Sequence, residues 1–478
     1  MKKTKAILCF LLAMVMVLSF TACKKNPAEE DSGSVEIEYE YEYIYEDSDK
    51  DASIAGDSAD KDGDKDATQS GTTSNGKPNS SKKPTSTSNS LKERAKKFKG
   101  TTVRYATWKD PDANEDGIVV KAFQKKYDIK VKIDAVGQAG YANTIAGYIA
   151  SGKSPDIYFS NNDVPVCMSC LQPIDAAKLD MSDPIWEKGM FDASTINGKT
   201  YLINTVGNIW NEVDCVFFNK RLMKENNITT PEEYYKAGKW NFDAMTKVMR
   251  DVKALGDDYT GGYIDWETAL GLTGSSYYKW SNGKFSNGIN QTLIDVSRYL
   301  STVYKEGLIN GLADYNYRDE FLNGKVGIAL TNAYGLKKTG YWSKMNADDI
   351  GFTYLPDFNS SVKAGTCGLF RGWGIIKGAK NPEAAGIFLR YYLDVNNYDT
   401  SSAFINSEAE SFFFKLTSGV SSAKKNIVIS DNLGAGKWEL GQIAKNSPDQ
   451  VAGIINAQKN AIDSGVKNMN DFLAKQTK

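Results

Sequence analysis

The residues of this chain with the means to do chemistry are aromatic side chains in loop contexts, flanked by amides, carboxylates and arginine. Trp210-Asn211-Glu212 follows a turn at Gly207, and Asp265-Trp266-Glu267 opens a helix after Gly261-Gly262. Tyr277-Tyr278 follows Gly274-Ser275-Ser276, and Tyr334 follows an apolar run from Val326 to Thr331. Arg371-Gly372-Trp373-Gly374 sets a large ring between glycines, which is read as allowing a ligand to approach the backbone. None of these rings recurs at helical spacing. The chemistry they suit is recognition. A sugar offers weakly polar C–H faces on which rings stack, and hydroxyls around its edge for amides, carboxylates and guanidinium groups. Trp186, Trp240, Trp342 and Trp438 have helix-start or packing contexts and are assigned to the interior.

Other chemistries fit less well. Histidine is absent from all 478 residues, which removes histidine bases, triads and histidine-ligated metals. The formal charge of −1 excludes a strongly basic nucleic-acid binder. Asp112 to Gly117 matches the first half of a calcium loop, but Phe123 stands where the bidentate Glu is needed, so helix capping is the better account. Cys167-Met168-Ser169-Cys170 has redox or zinc spacing without a second pair or an oxidoreductase context. With Cys215 and Cys367 these cysteines read as structural, either buried thiols or disulfides. A glycosidase needs two carboxylates and no histidine, yet Asp265 and Glu267, two apart, do not share a helix face. No enzyme, cofactor or metal is expected.

The elements that must position the rings can be read from periodicity. Thr102 to Thr107 reads as a strand, residues 115–127 as a helix, Ile129 to Val136 as a strand and 140–151 as a helix, with a third strand from Pro155 to Ser160. Strands alternating with helices predict a parallel sheet covered by helices, whose ligands sit beyond the carboxyl ends of the strands. Those ends carry Trp108-Lys109-Asp110 and Asn161-Asn162-Asp163, so Trp108, Asn161 and Asp163 join the candidates.

Ahead of this part, Lys2, Lys3 and Lys5 precede an apolar run over residues 6–18, too short for a transmembrane helix of ~20 residues. Ser19-Phe20-Thr21-Ala22-Cys23 resembles a bacterial lipobox, with Phe20 in place of the usual aliphatic residue. Residues 1–22 are thus read as a lipoprotein signal peptide, and Cys23 as the acylated residue and sole membrane anchor. Residues 23–99 read as a disordered tether. Glu29 to Asp66 holds 16 acidic and 3 basic residues, residues 67–99 carry a net +7, and residues 100–478 are neutral. A flexible chain of that length spans ~45–50 Å, which suits a thick, Gram-positive type of cell wall. Val35 to Glu46 alternates apolar and acidic at period 2, and is read as solvated coil.

A series of weak motifs then follows in order: Leu171-Gln172-Pro173-Ile174-Asp175, Ile196-Asn197-Gly198-Lys199, Cys215 to Lys220, Pro231-Glu232-Glu233, Trp240-Asn241-Phe242-Asp243, Phe321 to Ala329, Leu355-Pro356, Gly372-Trp373-Gly374 and Asn381-Pro382-Glu383. With the lipobox, this series resembles the family 1 extracellular solute-binding proteins, the maltose-binding-protein-like receptors of ABC importers, over residues 100–478. The resemblance implies an α/β, periplasmic-binding-protein-like fold with two lobes joined by crossing hinge strands and a ligand cleft between them. The N-terminal lobe is expected over 100–210 plus 372–430, the C-terminal lobe over 211–371 plus 431–478. It places Trp210 to Phe218 and Cys367 to Trp373 at the crossings, Cys215 near Cys367, and a stacking aromatic at Tyr334. The implied function is a monomeric, lipid-anchored receptor that takes a sugar or oligosaccharide by lobe closure and delivers it to the permease subunits. Trp108, Trp210, Trp266, Tyr334 and Trp373 would stack, and Asn161, Asp163, Asn211, Glu267 and Arg371 would bond hydroxyls. The competing readings are a peptide, polyamine or organophosphate cargo in the same fold, and a carbohydrate adhesin or sensor partner without a permease.

Overall fold

The computed structural model describes residues 91–478 apart from 109–114, 138–139, 162–165, 209–212, 266–267, 269–271, 273–276, 282, 311–316, 359–370, 419–442, 444 and 477–478. The chain divides into two units, Met1–Ser74 and Asn75–Lys478, and every described residue lies in the second. The signal, Cys23 and Val35 to Glu46 lie outside the described residues.

The first lobe is built around one sheet. β1 (Thr102–Thr107), β2 (Lys130–Ala135) and β3 (Ile157–Asn161) are parallel, with α1 (Glu115–Tyr127) and α2 (Tyr141–Ala150) as their crossovers. β4 (Leu171–Gln172), α3 (Lys188–Ser194), the β5 (Thr195–Ile196) and β6 (Lys199–Thr200) ribbon and β7 (Leu202–Ile203) follow. The chain then crosses to a second sheet. It is made of β8 (Asp214–Asn219), β9 (Thr260–Ile264), β12 (Val326–Asn332) and β13 (Ile350–Thr353), in the order β13-β8-β12-β9. Between these strands run α4 (Lys220–Glu225), α5 (Pro231–Lys236), α6 (Phe242–Lys253), the hairpin β10 (Tyr278–Ser281) and β11 (Lys284–Asn287), α7 (Gln291–Lys305) and α8 (Tyr317–Leu322).

β14 (Arg371–Ile376) returns to the first sheet. It lies antiparallel between β3 and β4 and also pairs β7, giving the order β2-β1-β3-β14-β4. α9 (Pro382–Tyr392) packs on β1 and α1, where Phe388 meets Phe123 edge-on at 5.1 Å. Last come α10 (Ser407–Ser418), α11 (Pro448–Ala457) and α12 (Lys459–Gln476).

Local signals explain several boundaries. Asn219, Asn241 and Asn290 each accept a backbone N–H from the first turn of the helix they cap. Thr230 and Glu233 form a reciprocal capping box ahead of α5, and Pro231 and Pro382 occupy first-turn positions where no N–H is needed.

Two expected boundaries move. Residues 91–99, expected to belong to the tether, pack with the first lobe. Residues 91–95 are helical, Ala95 is buried, and Arg94 bonds the Ala177 carbonyl at 3.3 Å and Glu383 at 3.5 Å. Charge composition overstated the tether because Arg94, one of its basic side chains, has partners on the lobe. The third hand-over comes near residue 400 rather than 430. The Lys338 N–H donates to Ala403 O and the Ile405 N–H to Leu336 O, both at 3.0 Å, which ties this stretch to the segment after β12. α10 then packs Phe412 on Phe352 and Tyr354 of the second lobe.

Asp156 shows how distant segments are locked together. Its buried carboxylate accepts the N–H of Arg104 in β1 and of Asn381 at the head of α9, both at 2.8 Å. Asp156→Ala strands two buried donors and is expected to lower unfolding stability by about 2–4 kcal/mol. Urea denaturation checks this, and an unchanged midpoint would contradict it.

Candidate functional site

Both sheets turn the same kind of end toward the crossings. In the first sheet this end carries the segment after β1, the last residue of β3 and the first residue of β14, since Arg371 pairs with Asn161. Trp108 is half-buried there. Its ring lies on Phe159 at a centroid distance of 4.9 Å and meets the edge of Tyr141 at 5.0 Å. Phe159 is stacked in turn on Trp373 at 4.8 Å, and Trp373 meets Tyr392 edge-on at 6.5 Å. An aromatic column therefore runs from the lobe core out to Trp108. The Arg371 guanidinium lies over the same Phe159 ring, 5.6 Å from its centroid.

This column corrects one assignment. Trp373 is 1% exposed, and its indole N–H donates to the Tyr105 hydroxyl at 2.9 Å. One ring face is taken by Phe159, so Trp373 supports the column from within and does not stack on a guest. The flanking glycines are corrected too. A Cβ at Gly372 would stand 2.9 Å from Leu202 Cβ, and one at Gly374 would stand 2.8 Å from Leu171 Cδ2. The glycines make room for core leucines, not for a ligand.

The second lobe supplies its own ring set. Asn332, at the end of β12, accepts the Tyr334 N–H at 3.0 Å and donates to the Tyr341 hydroxyl at 2.8 Å. Tyr334 is half-buried and meets Tyr341 edge-on at 5.2 Å, while its own hydroxyl donates to Thr339 O. The Arg318 guanidinium carbon lies 3.9 Å from the Tyr341 centroid, and Tyr317 stacks on Tyr263. Asp265 follows β9 at the same end and is buried.

Of the expected site residues, the structure thus brings Trp108 and Arg371 together at one sheet end and Tyr334 to the corresponding end of the other. Asn161 is placed by its backbone. Asp163, Trp210, Asn211, Trp266 and Glu267 lie outside the described residues. Trp186, Trp240 and Trp342 are buried, and Trp438 is outside the described residues. Cys167, Cys170 and Cys215 are buried thiols outside any disulfide. Burial, with help from Asp214, pushes the Cys215 thiol well above its ordinary value, which keeps it inert. Its proposed neighbour Cys367 lies outside the described residues.

Residues 119–404, more than half of the chain, match the family described as bacterial extracellular solute-binding protein. The chain belongs to that family. Solved structures of similar fold include the GacH receptor of Streptomyces glaucescens, determined with acarbose (TM-score 0.54, 15% identity, 79% of this chain and 98% of that one). Others are the cyclic alpha-maltosyl-1,6-maltose binding protein of Arthrobacter globiformis (0.59, 13%, 77% and 99%) and a Staphylococcus aureus extracellular solute-binding protein with maltose (0.51, 16%, 78% and 97%). No curated protein sequence matches the chain.

In this solute-binding protein the lobes are joined at a compact polar knot. Asn204, on the first crossing, donates to the Arg371 carbonyl at 3.1 Å, where the second crossing enters β14. Its Oδ1 accepts from Thr205 N and Asn208 Nδ2, both at 2.8 Å, and the Thr205 hydroxyl donates to Leu393 O where the chain leaves α9. All three segments meet at one buried Asn-Thr pair.

Sequence reasoning missed Tyr141, Asn204, Arg318, Asn332 and Tyr341. Tyr141 and Arg318 sit in helical contexts that read as packing or surface. Tyr341, seven residues after Tyr334 and next to Gly340, was the one member with a loop signal.

Because Trp373 is a core residue, Trp373→Ala is expected to cost ~3–5 kcal/mol of folding stability. Trp373→Phe, which keeps a ring on Phe159, should lose much less. Equilibrium unfolding of both variants measures the difference. A fully stable Trp373→Ala protein would put the ring back on an open surface.

Proposed function

We propose that this solute-binding protein is the membrane-anchored receptor of an ABC importer, and that it captures a sugar or oligosaccharide by closing its lobes and hands it to the permease. Acylation at Cys23 and the long polar tether carry the folded part away from the outer face of the cytoplasmic membrane. No described helix is long and apolar enough to cross a membrane. Trp108, Trp210, Trp266 and Tyr334 form the stacking surface in this reading, with Asn161, Asp163, Asn211, Glu267 and Arg371 on the hydroxyls.

The observation that carries the sugar reading is the aromatic column ending in Trp108. Phe159 behind the indole and Tyr141 at its edge fix the ring's tilt, so little side-chain freedom remains to be lost when a flat pyranose face settles on it. Arg371, whose guanidinium lies over Phe159 on the same column, is the charged group this reading sets beside that face. The relatives solved with maltose or acarbose support the same cargo class.

A thermal-shift screen of the purified protein against maltose, maltotriose, longer oligosaccharides, peptides and polyamines tests this, because a ligand that binds only the folded form raises Tm by mass action. Oligosaccharides are expected to stabilise it. A response confined to charged amines or peptides would replace the sugar reading. Against the responding sugar, Trp108→Ala should weaken binding by about 1–3 kcal/mol, by analogy with stacked bases. Titration calorimetry measures this, and an unaltered Kd would remove Trp108 from the site.

A further inference from the structure

The β10–β11 hairpin is held to the second lobe and touches the first. Asn470 of α12 accepts the Phe285 N–H at 2.8 Å and donates to Phe285 O at 2.9 Å, as a neighbouring strand would. Asn287 donates to Asp463 of the same helix at 2.7 Å. A Cβ at Gly465 would stand 2.8 Å from the Tyr278 hydroxyl, so the helix lies close against the hairpin. α12 follows α11, which packs on α7, and α7 is tied to α6 through Tyr299 and Thr246 at 2.7 Å.

The other side of the hairpin meets α3 and β5. The Trp280 indole, packed on Phe285 at 4.4 Å, donates its N–H to Ala193 O at the end of α3. Gly283, with φ at +71°, sits so close that a Cβ would stand 2.7 Å from Thr195 O and 3.3 Å from Ile196 Cα. α12 also packs on the turn Val166–Ser169, which follows β3. Met190 of α3 lies 3.3 Å from where a Cβ at Gly372 would be, beside Arg371. These contacts therefore lie at the end of the first sheet that carries Trp108 and Arg371.

We propose that the hairpin is an inter-lobe latch, seated on Ala193–Ile196 when the lobes are together and withdrawn when they part. It rests on the reading that the lobes close on a ligand. The Trp280–Ala193 hydrogen bond and the Gly283 seat add to the stability of the closed arrangement without touching the cargo. They therefore set how long a ligand is retained and leave selectivity alone.

Hydrogen exchange on the full chain, followed in the peptide covering residues 192–200 without ligand, tests the latch directly. Trp280→Phe, which keeps a ring on Phe285, and Gly283→Ala should each speed exchange there by ~3- to 10-fold, the range of one hydrogen bond. The Phe285 amide, still clamped by Asn470, should stay protected. With maltotriose as probe, both variants should release the sugar faster by a similar factor. Unchanged exchange at 192–200 in both variants overturns the latch, whatever the cargo. Faster exchange at 192–200 with no response to any sugar upholds the latch and counts against the sugar reading alone.

Discussion

The structure depends on where β14 goes. The chain reaches it from the second lobe, yet the strand lies antiparallel between β3 and β4 of the first sheet, and five consecutive register pairs fix it to β3. A strand inserted this far inside a sheet has neighbours on both edges and cannot leave without breaking both ladders. The first lobe is therefore incomplete until the second has been threaded, and the lobes are bound to act as one molecule. The placement also sets the site, because it puts Arg371 opposite Asn161 and Trp373 opposite Phe159.

The side-chain alternation of β14 makes the aromatic column possible. Arg371, Trp373 and Ile375 face one way, while Gly372 and Gly374 face Leu202 and Leu171. Without a Cβ at 372 and 374, β7 and β4 approach closely enough for their leucines to cover the strand. On the other face Trp373 fills the space beneath Phe159 and satisfies its one donor through Tyr105. A half-buried indole such as Trp108 is costly to hold in one tilt unless something rigid lies behind it. Here the support is a stack of rings that reaches the core through Tyr392 and Phe388.

Much of the first lobe was legible because its signals are local. The strand at 102–107 and the helix at 115–127 follow from hydrophobic period alone and match in both bounds. The position of β14 in the sheet is non-local and could not be read from its own six residues. Trp373 was misassigned for that reason. Between two glycines it looks like a loop residue, and only the pairing with β3 and β7 shows that the glycines exist to admit other strands. The place of Trp108 just past the end of β1 was legible from the strand pattern alone. Asn332 and Tyr341 were not, because the amide that holds both Tyr334 and Tyr341 reads in sequence as an ordinary turn former.

The knot at Asn204 and Thr205 bears on how such a molecule can move. An apolar junction would tolerate sliding, whereas a buried amide that leaves its partners exacts the full cost of unpaired polar groups. Asn204 holds the first crossing to the second, and Thr205 holds the first to the segment leaving α9, so the three cannot shift independently. The knot therefore fixes the three segments to one another where they meet. The tilt of Trp108 is set separately, by Phe159 and Tyr141 of its own lobe.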